Sequence, residues 1–163
     1  MEQLIKNIEQ WAEDRNIING CKPIDQAMKL FSELGELSDA VAKDDQEGIK
    51  DGIGDVFVVM VILCRQRGDK LTMTNGYGTE DSVKQNIIDL AGYICDIAED
   101  SMVSFTSLKM AISLLSDIAE HNNLTLQQCV EHAYNEIKYR KGIMHNGIFI
   151  KETDSRYREL TGV

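Results

Sequence analysis

Proline is nearly absent: Pro23 is the only one in 163 residues, and aromatic residues make up 6% of the chain. With so few helix breakers, long segments can remain helical without interruption. No stretch reaches the roughly 18 apolar residues that a membrane span requires. The N-terminus, MEQLIKNIEQW, lacks the basic segment and apolar run of a signal peptide. Repeats and low-complexity tracts are also missing. The four cysteines, Cys21, Cys64, Cys95 and Cys129, form no Cys-x-x-Cys pair and have no histidine at ligand spacing. They read as buried, reduced thiols. Positive charge is scarce too, with 17 Lys and Arg against 27 Asp and Glu and a net charge of −10. Such a balance argues against sequence-independent binding to a nucleic-acid backbone. An anionic polyphosphate could bind this chain only with a cation between the two. The expectation is a soluble cytoplasmic protein, with neither membrane nor nucleic acid as partner.

What the sequence does contain is helical periodicity. At 43% hydrophobic residues the chain can bury a single core, with residues 1–152 as one helical domain and 153–163 as a C-terminal tail. Leu4, Ile5, Ile8, Trp11 and Ala12 recur at three and four residues and predict a helix over 2–15, with Trp11 in the core. A second helix is predicted over 24–43, with Ala27, Leu30, Phe31, Leu34, Leu37 and Val41 as its apolar stripe. A third spans 47–67 and stops at Gly68. Its segment VFVVMVILC, residues 56–64, is apolar on every side and taken alone also fits a buried strand. The helical spacing of Ile49, Ile53, Val56, Met60 and Leu63, and the lack of a partner strand, favour helix. Such a helix needs cover all round, from the centre of the bundle or from a second subunit; a homodimer or homotetramer is therefore expected.

Residues 69–80, with Asn75-Gly76-Tyr77-Gly78, read as a flexible loop. Two amphipathic helices follow within 83–122, read as scaffold or as a variable helical pair. Thr125-x-x-Gln128 is a capping box that opens a last helix, expected to close at Gly142. Asn146-Gly147 between short apolar runs predicts a β-hairpin over 143–150. The fold class is thus all-α, a bundle of about five to six helices with a short C-terminal β-hairpin.

Against this scaffold one polar stripe stands out. Gln26, Lys29, Glu33 and Glu36 recur at steps of three, four and three along the second helix, so they form a ridge beside its apolar stripe. Two carboxylates one turn apart can grip one hard cation. On the third helix Asp51 and Asp55 share a face, and Asp55 opens the apolar run. Burying an acid there costs several kcal/mol without a cation or hydrogen bonds. A basic cluster, Asn135, Lys138, Arg140 and Lys141, closes the last helix. Each piece also has a plainer reading: a solvated face with a Lys29–Glu33 ion pair, and cations that compensate a helix dipole. The three histidines, His121, His132 and His145, are too scattered to form a metal site.

Combined, KLFSELGELSDAV (29–41), DGIGDVFVVMVIL (51–63) and AYNEIKYRKGIMHNGIFIKE (133–152) resemble the MazG-like proteins of the all-alpha nucleoside triphosphate pyrophosphohydrolases, particularly compact phage-type members. The resemblance covers residues 1–67 and 124–152. It implies hydrolysis of a nucleoside triphosphate to the monophosphate and pyrophosphate, with magnesium, or manganese in its place, bound by an E-x-x-E and an E-x-x-D pair. Glu33, Glu36 and Asp55 match that pattern. The fourth position is Gly52 instead of an acid, and Asp51, one residue earlier, either replaces it or is a bystander. Glu33 and Glu36 are then also candidates for the general base, and Lys138, with Arg140 or Lys141, for stabilising the leaving pyrophosphate. Gln26, Lys29, Asn135, Lys138, Arg140 and Lys141 are the expected substrate contacts. Two rival expectations are a non-catalytic helical module, for which Gly52 speaks, and a related enzyme acting on dUTP or another nucleotide polyphosphate.

Overall fold

Local chemistry sets the helix ends in the computed structural model, which describes residues 1–99 and 105–162. Residues 100–104 of the 83–122 segment and Val163 of the tail lie outside the described residues. The elements in order are α1 (Glu2–Asp14), α2 (Ile17–Gly20), α3 (Pro23–Lys43), α4 (Gln46–Arg67), α5 (Val83–Glu99), α6 (Phe105–His121), α7 (Leu126–Ile137), β1 (Gly142–His145), β2 (Ile148–Lys151) and α8 (Ser155–Thr161). The class is all-α with a C-terminal hairpin, as the periodicity predicts. Six of the helices are long, and the two additions are the single turn α2 and the seven-residue α8 within the tail.

Pro23 sits at the start of α3, where its missing N–H costs nothing. Asp25 accepts from Lys22 N at 2.8 Å. Asp45 caps α4 through Gly48 N at 3.1 Å, and α4 ends at Gly68 in the left-handed conformation, φ 78°. Thr125 and Gln128 form the expected capping box of α7. The hairpin turns at Asn146 and Gly147, both at positive φ, and pairs Ile143 with Ile150 and Met144 with Phe149.

Helix α4 is the centre of the molecule. From Val56 to Cys64 no residue is more than 5% exposed, because α1, α2, α3, α6 and α7 all pack against it. Two glycines let its neighbours come close. A Cβ at Gly52 would lie 2.9 Å from Leu37 Cα on α3, and one at Gly54 would overlap Cys129 O on α7.

The structure corrects several details. Helix α4 is covered by its own chain, so its apolar character is no reason for self-association. Phe31, assigned to the apolar stripe of α3, is 39% exposed. Cys95 is exposed and Cys21 half-buried, and only Cys64 and Cys129 are buried thiols. The loop expected to be flexible is tied down at its middle: buried Asp117 accepts from Gly78 N at 3.0 Å and Tyr77 N at 3.3 Å, and Ser113 Oγ donates to Asn75 O. Finally, α7 stops at Ile137 and not at Gly142, which leaves Asn135 on the helix and places Lys138, Arg140 and Lys141 beyond it.

Candidate active site

The site lies where the N-terminal part of α4 crosses α3. Helical spacing delivers its carboxylates: Glu33 and Glu36 are on one face of α3, Asp51 and Asp55 on one face of α4, and all four line a single cavity of about 700 Å³. That size is typical of a small-molecule site. Gln26 and Lys29 line it as well, continuing the α3 ridge. Glu33 is buried, whereas Glu36 is exposed at the mouth.

The basic cluster divides. Arg140 reaches the cavity; Asn135, Lys138 and Lys141 are not among its lining residues. Lys138 instead donates to Asn135 Oδ1 at 2.7 Å and lies over the Tyr139 ring at 5.0 Å, and Lys141 pairs with Glu152 at 3.4 Å. The helical spacing that suggested one cluster no longer holds beyond Ile137. Residues 138–141 leave the helix in different directions.

Sequence reasoning missed two parts of the wall. Val58, Val59 and Ile62 continue the Asp51–Asp55 face of α4 at helical spacing, a signal present in the sequence but masked by a segment apolar on all sides. Met144, Gly147 and Phe149 come from the hairpin, which hydrogen bonds hold against the α1–α3 connection: Met144 N to Arg15 O at 2.8 Å, Gly147 N to Gly20 O at 3.0 Å and Asn16 Nδ2 to Met144 O at 3.0 Å. No local pattern announces that docking. Glu136 and Asp25 add two further carboxylates, and Trp11, a core residue with its indole N–H on Ile137 O, shows one side to the cavity.

The electrostatics are those of a site short of positive charge. Asp55 is pushed up to about 7, first by burial and then by the charges of Asp51 and Glu33, with Lys29 and Arg140 opposing. Lys29 forms an ion pair with Glu33, so a cation from the chain itself already pairs with the most buried of the four acids. Asp51 lies 3.6 Å from His132 Nε2. As the side chains lie, no three His, Cys, Asp or Glu groups among the described residues are close enough to hold one metal ion. The donors nevertheless suit magnesium: they are all carboxylate oxygens, they come from two adjacent helices, and they repel one another unless a cation joins them. Gly52, at the position where the resemblance expects the fourth acid, is pressed against Leu37 and has no room for one.

Residues 25–84 match the MazG nucleotide pyrophosphohydrolase domain. The MazG match begins at Asp25, runs through α3, α4 and the following loop, and ends at the start of α5, so it contains all four carboxylates. It does not reach the 124–152 segment. An uncharacterized 18.2 kDa protein from the rep-hol intergenic region of Haemophilus phage HP1 (strain HP1c1) is 59% identical over 66 residues. That alignment covers 40% of this chain and 40% of the phage protein, so the chain spans well under half the length of the relative it matches. No solved structure matches the chain. No described helix is long and apolar enough to cross a membrane.

Proposed function

We propose that the chain is a magnesium-dependent nucleoside triphosphate pyrophosphohydrolase that breaks the bond between the α- and β-phosphates and releases a monophosphate and pyrophosphate. One observation carries the reading: four carboxylates from the MazG-matched helices α3 and α4 share a cavity with Arg140. Glu33 and Glu36 from α3, with Asp51 and Asp55 from α4, would hold magnesium, and manganese could replace it. The bound ion would neutralise the triphosphate and make its attacking water more acidic. Glu33 or Glu36 accepts the proton of that water. Arg140 meets the negative charge that gathers on the departing pyrophosphate, the role expected from the sequence of Lys138 with Arg140 or Lys141. Lys29, which pairs with Glu33 and lines the cavity, would be a further phosphate contact if a divalent ion took over Glu33. The apolar wall of Val58, Val59 and Ile62 accommodates the nucleoside. Common nucleotides, dUTP and other nucleotide polyphosphates are all candidate substrates, and a screen for pyrophosphate release across them identifies the preferred one.

The deciding experiment is Glu36→Gln. Magnesium-dependent pyrophosphate release should disappear while the helical circular dichroism stays intact; unchanged turnover would remove Glu36 from the site. A non-catalytic module is the competing reading, favoured by Gly52 and by the Lys29–Glu33 pairing. Calorimetry with magnesium and a non-hydrolysable triphosphate separates the two, since a pure interaction module shows no metal-linked nucleotide binding.

Self-association as a homodimer or homotetramer also belongs to this proposal, on a different surface from the one first expected. Ile24, Met28 and Phe31, 59%, 65% and 39% exposed, follow one another along α3 at helical spacing. A second copy would cover them, and Met28→Lys should then lower the mass measured by light scattering.

A further inference from the structure

Arg15 closes α1, yet its side chain serves the far end of α7. A helix ends in backbone carbonyls that have no partner within it. At the end of α7 these carbonyls are met by donors from α1. Trp11 Nε1 donates to Ile137 O at 2.8 Å, Arg15 Nη2 to Lys138 O at 3.2 Å and Arg15 Nε to Arg140 O at 2.6 Å. The guanidinium also donates to Trp11 O at 3.2 Å and lies 5.0 Å from the centre of the Trp11 ring, so the two side chains brace each other. The main chain of Arg15 takes part too, accepting from Met144 N at 2.8 Å. One residue therefore fastens the strap 138–144 near both its ends.

The strap matters because of what it presents. Ile137, Arg140 and Met144 line the cavity, whereas Arg15 does not. Arg140 lies on a segment that is neither helix nor strand, so the path of the strap decides which side chain faces the acids. Its near neighbours Lys138 and Lys141 face other partners. A shift of one residue in the strap would exchange Arg140 for a side chain of different reach and geometry.

We propose that Arg15 is the positioning residue that holds Arg140 at the cavity and thereby sets the affinity for the phosphate groups of the substrate. The inference rests on the triphosphate reading above. By this account the Arg15 side chain touches no substrate and acts on Arg140 through the backbone carbonyls of Lys138 and Arg140.

The test measures binding of a non-hydrolysable nucleoside triphosphate with magnesium by calorimetry, using the full chain as wild type, Arg15→Gln, Arg140→Gln and the double variant. Each single change should weaken binding about tenfold, the usual scale for losing one charge-assisted contact. The double variant should bind no more weakly than Arg140→Gln, because both changes remove the same contact. Arg15→Lys, which keeps the charge and a donor, should recover part of the affinity; it also serves as the probe if Arg15→Gln does not fold, with a loss of a few fold expected. Additive losses, or an Arg15→Gln protein with lower Tm and unchanged affinity, would overturn the inference and leave the triphosphate reading standing. Wild-type protein that binds no triphosphate, or that binds it as Arg140→Gln does, would overturn both the assigned phosphate contact and the role of Arg15.

Discussion

The acidic and the basic halves of the expected site looked equally regular in sequence, and the fold treats them differently. Glu33 and Glu36 on α3, with Asp51 and Asp55 on α4, stay within unbroken helices, so residues three or four apart remain on one face and converge on one cavity. Asn135, Lys138, Arg140 and Lys141 straddle the end of α7, and one cation of the group reaches that cavity. Spacing predicts convergence only as far as the helix continues. Past the end of α7, Ile137 O accepts from Arg140 N in a local turn, and Trp11 and Arg15 bond to carbonyls that a longer helix would have used.

The largest effect that can break this comparison is loss of the acids. Glu33→Gln and Glu36→Gln should each reduce magnesium-dependent pyrophosphate release by more than about a hundredfold, on the scale of removing a group that stabilises developing charge. If both retain turnover near wild type, the convergence of the α3 acids on the cavity carries no chemistry. Next in size is Gly52→Glu, which supplies the acid that the resemblance expects at that position. With a Cβ already 2.9 Å from Leu37 Cα, the added side chain should overpack the α3–α4 crossing and cost about 1–3 kcal/mol. Chemical denaturation measures this; a variant of unchanged stability with tighter magnesium binding would show that the helices can separate to admit a fourth ligand.

Arg140→Gln should raise the KM for a triphosphate about tenfold, whereas Lys138→Gln and Lys141→Gln should each change it less than about twofold. Equal effects at all three positions would mean that the basic cluster acts as a diffuse field and not through one residue.

A smaller effect concerns Asp55, whose proton is held up to about 7 against an ordinary 3.8. The folded chain binds that proton more tightly than the unfolded chain does. The resulting stability is complete below about 3.8 and is lost as the pH climbs through about 7. Asp55→Asn cannot ionise and escapes the loss. Without divalent cations it should gain on wild type between pH 5 and pH 8, by about 1 kcal/mol once solvent screening of a half-buried group is allowed for. A Tm difference of the same size at both pH values would contradict this.

Much of the fold was legible because its signals are local. The stripes of α1, α3 and α4, the capping box at Thr125 and the turn at Asn146-Gly147 each depend on residues within a few positions of one another. The four acids belong to the same class. What stayed hidden depends on long-range contact. The hairpin was foreseen, but not that Gly147 would bond to Gly20 and bring Phe149 to the cavity. The loop around Gly76 looked free because its anchor, Asp117, lies about 40 residues downstream on α6. Phe31 followed an apolar period and still ended partly in solvent, since periodicity marks a face without saying what lies opposite it.

The enclosure of α4 by its own chain has a consequence for how the molecule comes apart. A helix that one copy already wraps does not need a neighbour to keep it dry, so dilution should separate any assembly into monomers that remain folded. Dissociation should then be visible without unfolding, and the melting midpoint should stop changing with protein concentration once dilution has left only folded monomers.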